Sequence, residues 1–419
     1  MNLFLRQKKH IKPIIALMIG TFPLMAIQGD LDLYIQKAQE NNPVVKSAYN
    51  QWKSAETSIT AAKGLPNPTL NVGYFLESVE TAAGPQQYKI GLMQKFPFLG
   101  KRGLQGKIQS SIAENSYYKY VEHQLKLNHA VRSTWYDYYY LVRVTELTEQ
   151  NFKLIQNWDG VIRSKYVTAR AGHPDLIKTQ IELIQLEDEL FTLENKKIPI
   201  LERFKSLLND PSLMDIVVPD SLTFELAELD VSIVKEKILK NNTTVLGANA
   251  DIEMQRYRVK RSKLNRMPDI ALGVESITTG EKEGSAFSGK DPLVAKISLD
   301  IPIWFRKTNA EIASANFALN GAEARAVSIQ NELNSELEMV LFDLEESSRQ
   351  IRLYKDVLIP KGLESLGASE IAYRGDNIEF ISLVDAQRRL LKFQMKYEKA
   401  LVNYLKATSK LSVITGEKI

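Results

Sequence analysis

The apolar positions of this chain follow two periods, and the whole succession occurs twice. Residues 31–62 and 231–263 carry a helical pattern. Proline closes both, as Gly64-Leu65-Pro66-Asn67-Pro68 and as Met267-Pro268, because it lacks the amide donor a helix interior needs. Strict alternation follows. Leu70, Val72, Tyr74 and Leu76 share one face and Asn71, Gly73, Phe75 and Glu77 the other, with Tyr88, Ile90 and Leu92 opposing Lys89, Gly91 and Met93. In the second half Ile270, Leu272 and Val274 alternate with Ala271, Gly273 and Glu275, and Leu293, Ala295, Ile297 and Leu299 with Lys296, Ser298 and Asp300. Period two predicts half-buried strands. The connecting runs, 81–85 and 279–291, predict exposed hairpin loops.

Each hairpin leads into a long proline-free helical pattern, 101–168 and 307–359. At 1.5 Å per residue the first spans roughly 100 Å, too long for a compact domain. A turn follows, at Ala171-Gly172-His173-Pro174 and Gly375-Asp376-Asn377, and then a returning helix. The returning helices place apolar residues every seventh position: Ile177, Ile184, Phe191 and Ile198 in one, Leu383, Leu390, Tyr397, Tyr404 and Leu411 in the other. Such heptads predict coiled-coil packing.

The two halves align in register. Asn41-Asn42-Pro43 matches Asn241-Asn242-Thr243 at an offset of 200, Phe96-Pro97-Phe98 matches Ile301-Pro302-Ile303 at 205, and Tyr166 matches Tyr373 at 207. The chain is therefore two tandem repeats, 30–217 and 218–419, after an expected secretory signal at 1–29. The hairpins fall at 68–96 and 268–302, and the helical tips near 169–175 and 374–379.

Charge and composition narrow the function. The 419 residues carry 54 basic and 50 acidic side chains, and four of the basic ones, Arg6, Lys8, Lys9 and Lys12, lie in the signal. The remainder is close to neutral, so nucleic-acid binding has no electrostatic footprint. Absence of cysteine excludes thiol chemistry and a lipid anchor on a mature N-terminal cysteine. No later segment has 18 consecutive apolar residues, so membrane insertion would have to use strands. Four strands cannot close a barrel, and lipid does not tolerate open strand edges, so the edges require other copies of the chain.

These features together resemble the TolC family of outer-membrane efflux and secretion ducts. The resemblance is carried by the doubled order of elements and by three motifs. They are Pro66-Asn67-Pro68, Phe96-Pro97-Phe98-Leu99-Gly100-Lys101-Arg102, and the run from Tyr373-Arg374-Gly375-Asp376-Asn377 to Leu383-Val384-Asp385-Ala386-Gln387. The second of these looks most like the CzcC-type heavy-metal branch. The resemblance implies a mostly α fold with a small β part: a long helical coiled-coil barrel, with four strands per chain entering a shared trimeric transmembrane β-barrel. It also implies a homotrimer in outer-membrane lipid, extending into the periplasm. Its partners would be a periplasmic adaptor and an inner-membrane pump of the RND type, and its cargo small solutes such as metal ions or drugs.

For the periplasmic gate the resemblance implies Tyr373 as the tip tyrosine, Asp175 as its carboxylate partner and Asp385 as a ring of symmetry-related acids. Ser382 stands where the family often has a second acid, and Ala169 and Asp376 where it often has glycine. The competing reading of Asp385 is an ordinary pair with Arg388 or Arg389. An exported coiled-coil scaffold or adaptor without a closed pore is the alternative for the whole chain.

Catalytic chemistry is not expected. His123 and His129 are six apart and so on different helical faces, which makes no metal pair. Gly100 to Lys107 lacks the glycine spacing and the Ser/Thr of a phosphate loop. Tyr136 to Tyr140 are expected to pack between helices. No cofactor, metal site, nucleic-acid partner or enzymatic activity is predicted.

Overall fold

The computed structural model describes residues 29–169, 171–222 and 230–417, so the expected signal, except Gly29, lies outside the described residues. The first repeat runs α1 (Gly29–Asn41), α2 (Pro43–Lys63), β1 (Thr69–Tyr74), β2 (Glu80–Thr81), β3 (Gly84–Phe96), α3 (Lys101–Val167) and α4 (His173–Leu208). The second runs α5 (Val231–Asn241), α6 (Thr243–Leu264), β4 (Asp269–Thr279), β5 (Leu293–Asp300), α7 (Phe305–Arg352), a π-helical turn (Leu353–Leu358), α8 (Ile359–Arg374) and α9 (Phe380–Thr415).

Each pre-hairpin stretch, expected as one helix, is divided by an asparagine. Asn42 and Asn242 adopt extended backbone, φ −61° and −62° with ψ 124° in both. Each side-chain oxygen accepts from the second and third amides of the next helix, Val44 and Val45 or Thr244 and Val245. Each side-chain amide donates to a carbonyl near the end of the same repeat's last helix, Leu207 at 3.0 Å and Ile414 at 2.8 Å. One buried asparagine per repeat thus caps one helix and pins another.

The second long helix also departs from expectation. It does not end near Ile359 but continues through Pro360 to Arg374. The π-helical turn immediately before the proline widens the backbone where the ring would clash with the preceding turn. Likewise α4 runs through Pro199 without ending.

The hairpins join side by side in one antiparallel sheet of order β1-β3-β4-β5, with the short β2 paired to β3. Register places Leu70, Leu92, Val274 and Ala295 in one row across all four strands, and Asn71, Gly91, Glu275 and Val294 in the next. One face is therefore apolar and open, with Val72 69% exposed. On the other, Lys296 pairs with Glu275 and Lys95 with Asp300. Among the described residues β1 and β5 each keep one side without a strand partner. The hairpin loops bond to each other, Gly280 N to Pro85 O at 2.8 Å and Gly289 N to Ala83 O at 2.9 Å. Gly84, at φ +124°, permits this approach, since a Cβ there would lie 1.9 Å from the Gly280 oxygen.

Helix α3 is the spine. It packs against α1, α2, α4, α6 and α9. Its Trp135, Tyr136, Tyr138 and Tyr139 are buried in a core with Phe204, Leu208 and Ile216, as expected for packing rather than ligand residues. The coiled-coil expectation holds within the chain for only one repeat. Leu383, Leu390 and Tyr404 of α9 are buried, whereas Ile184, Phe191 and Ile198 of α4 are 65%, 70% and 61% exposed. The reason is position: α9 lies against α3, α7 and α8, while α4 packs mainly on α3 at the edge of the chain.

Candidate gate at the helical tips

The turns at the far end of α3–α4 and α8–α9 come together through an apolar cluster. Trp158 and Ile162 of α3, Tyr373 of α8, and Phe380, Leu383 and Val384 of α9 are all buried in it. Tyr373, 5% exposed, meets the Trp158 ring edge-on at 5.7 Å and the Phe380 ring at 5.6 Å. Its hydroxyl has no hydrogen-bond partner among the described residues. The expected donation to Asp175 is thus not made in the single chain. Asp175 instead acts through space: burial first, then the charges of Asp175 and Asp376, push the phenol above its ordinary range.

Asp175 belongs to the first turn of α4, where a carboxylate complements the helix dipole. Its backbone is tied on both sides, its amide to Gly172 O at 3.1 Å and its carbonyl to the Thr179 hydroxyl at 2.8 Å. Asp385 is further along α9, with its side chain 48% exposed and one oxygen 3.9 Å from Arg388 Nη1. That pairing is weak because the Arg388 guanidinium is turned to buried Glu182, with Nε 2.9 Å and 3.0 Å from the two carboxylate oxygens. Tyr373 and Asp175 are therefore electrostatic neighbours, and Asp385 is half-exposed and loosely paired with Arg388.

One residue at the tip was missed by sequence reasoning. Lys165, near the end of α3, places Nζ 2.5 Å from Asp376 Oδ1, 3.1 Å from the Tyr373 carbonyl oxygen and 4.3 Å from the Tyr373 ring centre. It fastens the first repeat's long helix to the second repeat's turn by an ion pair, a charge-assisted hydrogen bond and a cation–π contact. The available signal was a difference between repeats, since Lys165 aligns with Ala372 beside the matched tyrosines. Ala169 and Asp376 also align, and both are left-handed, at φ +56° and +60°. These are the two positions noted above as lacking glycine. Short turns require this conformation there whether or not glycine supplies it.

Comparison with known proteins adds the following. No family model matches the chain. The cobalt-zinc-cadmium resistance protein CzcC of Cupriavidus metallidurans is 20% identical over 181 residues, a match covering 43% of this chain and 42% of that protein. Among solved structures, the outer membrane protein VceC of Vibrio cholerae superposes with a TM-score of 0.76 at 14% identity, covering 92% of this chain and 96% of that one. The CmeC outer membrane channel of Campylobacter jejuni gives 0.75 at 14% identity over 93% and 86%. The open state of the MtrE outer membrane channel of Neisseria gonorrhoeae gives 0.76 at 14% identity over 93% and 89%.

Proposed function

For a chain that has the fold of the TolC-type bacterial outer-membrane channels, we propose the function of a passive trimeric duct, completing an efflux pathway from the periplasm to the exterior. The observation that carries the reading is the sheet: one apolar face is open, and both outer strands lack partners. The apolar face is unfavourable in water and the free edges are not tolerated in lipid; lipid covers the first, and joining β5 of one chain to β1 of the next pairs the second. Among the described residues no helix is long and apolar enough to cross a membrane, so the sheet is the part suited to it. A spine of roughly 100 Å then carries the conduit away from the bilayer.

In this reading the exposed heptads of α4 face a neighbouring chain and the tips close the duct. Tyr373, Lys165 and Asp175 restrain the turn, and Asp385 from three chains forms an acidic ring that attracts cations. An adaptor docks at the helical tips, and an inner-membrane pump of the RND type supplies the energy. The cargo is small solutes, metal ions or drugs; the relative named for cobalt, zinc and cadmium resistance makes divalent cations the first class to assay.

The test is the native mass of the mature protein extracted from membranes, measured by light scattering in neutral detergent. A detergent-dependent trimer is expected. A monomer or dimer that stays in solution without detergent would overturn the duct and leave an exported coiled-coil scaffold.

A further inference from the structure

A second site lies along the groove between α3, α4 and α9, away from the tip turns. Its volume is about 390 Å³, the size of an organic molecule rather than of a few waters. Asn151 of α3 lines it and is 3% exposed, yet among the described residues neither its side-chain oxygen nor its nitrogen has a hydrogen-bond partner. A buried amide with both ends unpaired is destabilising unless something in the groove pairs it.

The walls differ in chemistry. Leu186, Leu391 and Met395 supply apolar surface. Glu182 closes one end, but its charge is spent on Arg388. Lys392, Lys396 and Lys399 also line the groove, and none has a carboxylate partner among the described residues. Lys399 and Lys396 rest on aromatic rings instead, 4.9 Å from Tyr140 and 5.9 Å from Tyr354. Glu189, the remaining acid of the lining, makes no ion pair among the described residues, so three lysines face one carboxylate. A water molecule could satisfy Asn151, but it would leave the positive excess and the apolar wall without a counterpart.

We propose that this groove binds a small amphipathic organic anion, its apolar body against Leu186, Leu391 and Met395, its acid group between Asn151 and the lysines. The site remains open when chains associate through α4. Glu182, Leu186 and Glu189 cluster on one side of that helix, and Ile177, Ile184, Phe191 and Ile198 lie roughly 180° away at about 100° per residue. The inference does not rest on the duct reading, because every group in it belongs to one chain.

Naphthalene-2-sulfonate is a suitable probe, titrated calorimetrically into the detergent-purified protein. Saturable binding of one molecule per chain is expected. Asn151→Leu and Lys392→Glu should each weaken it about tenfold, the worth of one lost charge-assisted contact. Ile184→Ser, on the opposite face of α4, should leave it unchanged. Equal binding of neutral 2-naphthalenemethanol would overturn the anion, and equal binding of inorganic sulfate would overturn the apolar body. Absence of saturable heat, or unchanged affinity in both variants, would overturn the site. Should Asn151→Leu fail to fold, rim residue Lys392 carries the test alone.

Discussion

The returning helices α4 and α9 occupy the same place in their repeats and carry the same heptad pattern, but they are used differently. In α9 the heptad residues Leu383 and Leu390 are 2% and 4% exposed, while in α4 Ile184 and Phe191 face outward. A similar contrast separates the aligned tyrosines, Tyr373 at 5% and Tyr166 at 43% exposed. The two repeats share a template; their positions in the chain decide which apolar surface closes internally. Duplication therefore supplies one stripe that is buried within the chain and leaves the other on its surface.

The sharpest way to break this symmetry is truncation of one large residue on each side. Phe380→Ala, in the buried tip cluster, should lower unfolding stability by about 3–5 kcal/mol in denaturant titration. Phe191→Ala should change it by less than about 0.5 kcal/mol in the separated chain but reduce the assembled fraction in light scattering. Equal destabilisation by both would refute the division of labour.

The asparagine clamps test the opposite expectation, that the repeats are alike. Asn42→Ala and Asn242→Ala each remove a cap and strand a carbonyl, so each should cost about 2 kcal/mol by thermal or chemical unfolding. A large difference between them would show that one repeat carries the other.

A pH effect distinguishes the spine from its surroundings. Burial, followed by the positive charges of Lys410 and Lys406 against the weaker pull of Glu336, lowers the His129 pKa from 6.5 to about 4. The unfolded chain binds a proton below pH 6.5 that the folded chain refuses until about pH 4. Stability should therefore be full above pH 6.5 and decline toward pH 4. For a partly exposed ring the loss is about 1–2 kcal/mol. His129→Gln, which can keep a bond to the Ser409 hydroxyl, should flatten that slope in unfolding curves recorded across the range.

At the turns the effects on stability are smaller. Ala169→Gly relieves a left-handed alanine and should stabilise by about 1 kcal/mol or less. Lys165→Met should cost under about 1 kcal/mol, as for other partly exposed ion pairs, yet raise single-channel conductance and antibiotic influx. Its alignment partner is Ala372. The converse Ala372→Lys should leave conductance unchanged, and a leak of similar size from both would remove the asymmetry from the gate.

Much of this architecture was legible because its signals are local and repeated. Proline after Ala62 and at Pro268, strict alternation in 69–77, and an uninterrupted helical pattern from Lys101 all act within a few residues, and each occurs twice. The tip turns were located by the same alignment, whereas Tyr373, Asp175 and Asp385 came only from the resemblance. The divisions at Asn42 and Asn242 were missed although the capping itself is local, each side-chain oxygen accepting from amides two and three residues on. Only the carbonyl that each side-chain amide meets, about 170 residues away, lies beyond the sequence pattern. Pro360 was read as a helix end because its accommodation depends on the π-helical turn before it.

Two tandem copies, their strand faces, the long spine and the turn positions follow from the order of residues, since propensity and periodicity need no distant partner. Folding in three dimensions decided the rest. It set which heptad stripe is covered, turned Arg388 to Glu182 rather than Asp385, brought Lys165 to Asp376, and left Asn151 unpaired in a groove. Each depends on which helices become neighbours, and helices related by the same repeat pattern gain different neighbours because only one of them lies in the middle of the chain's packing.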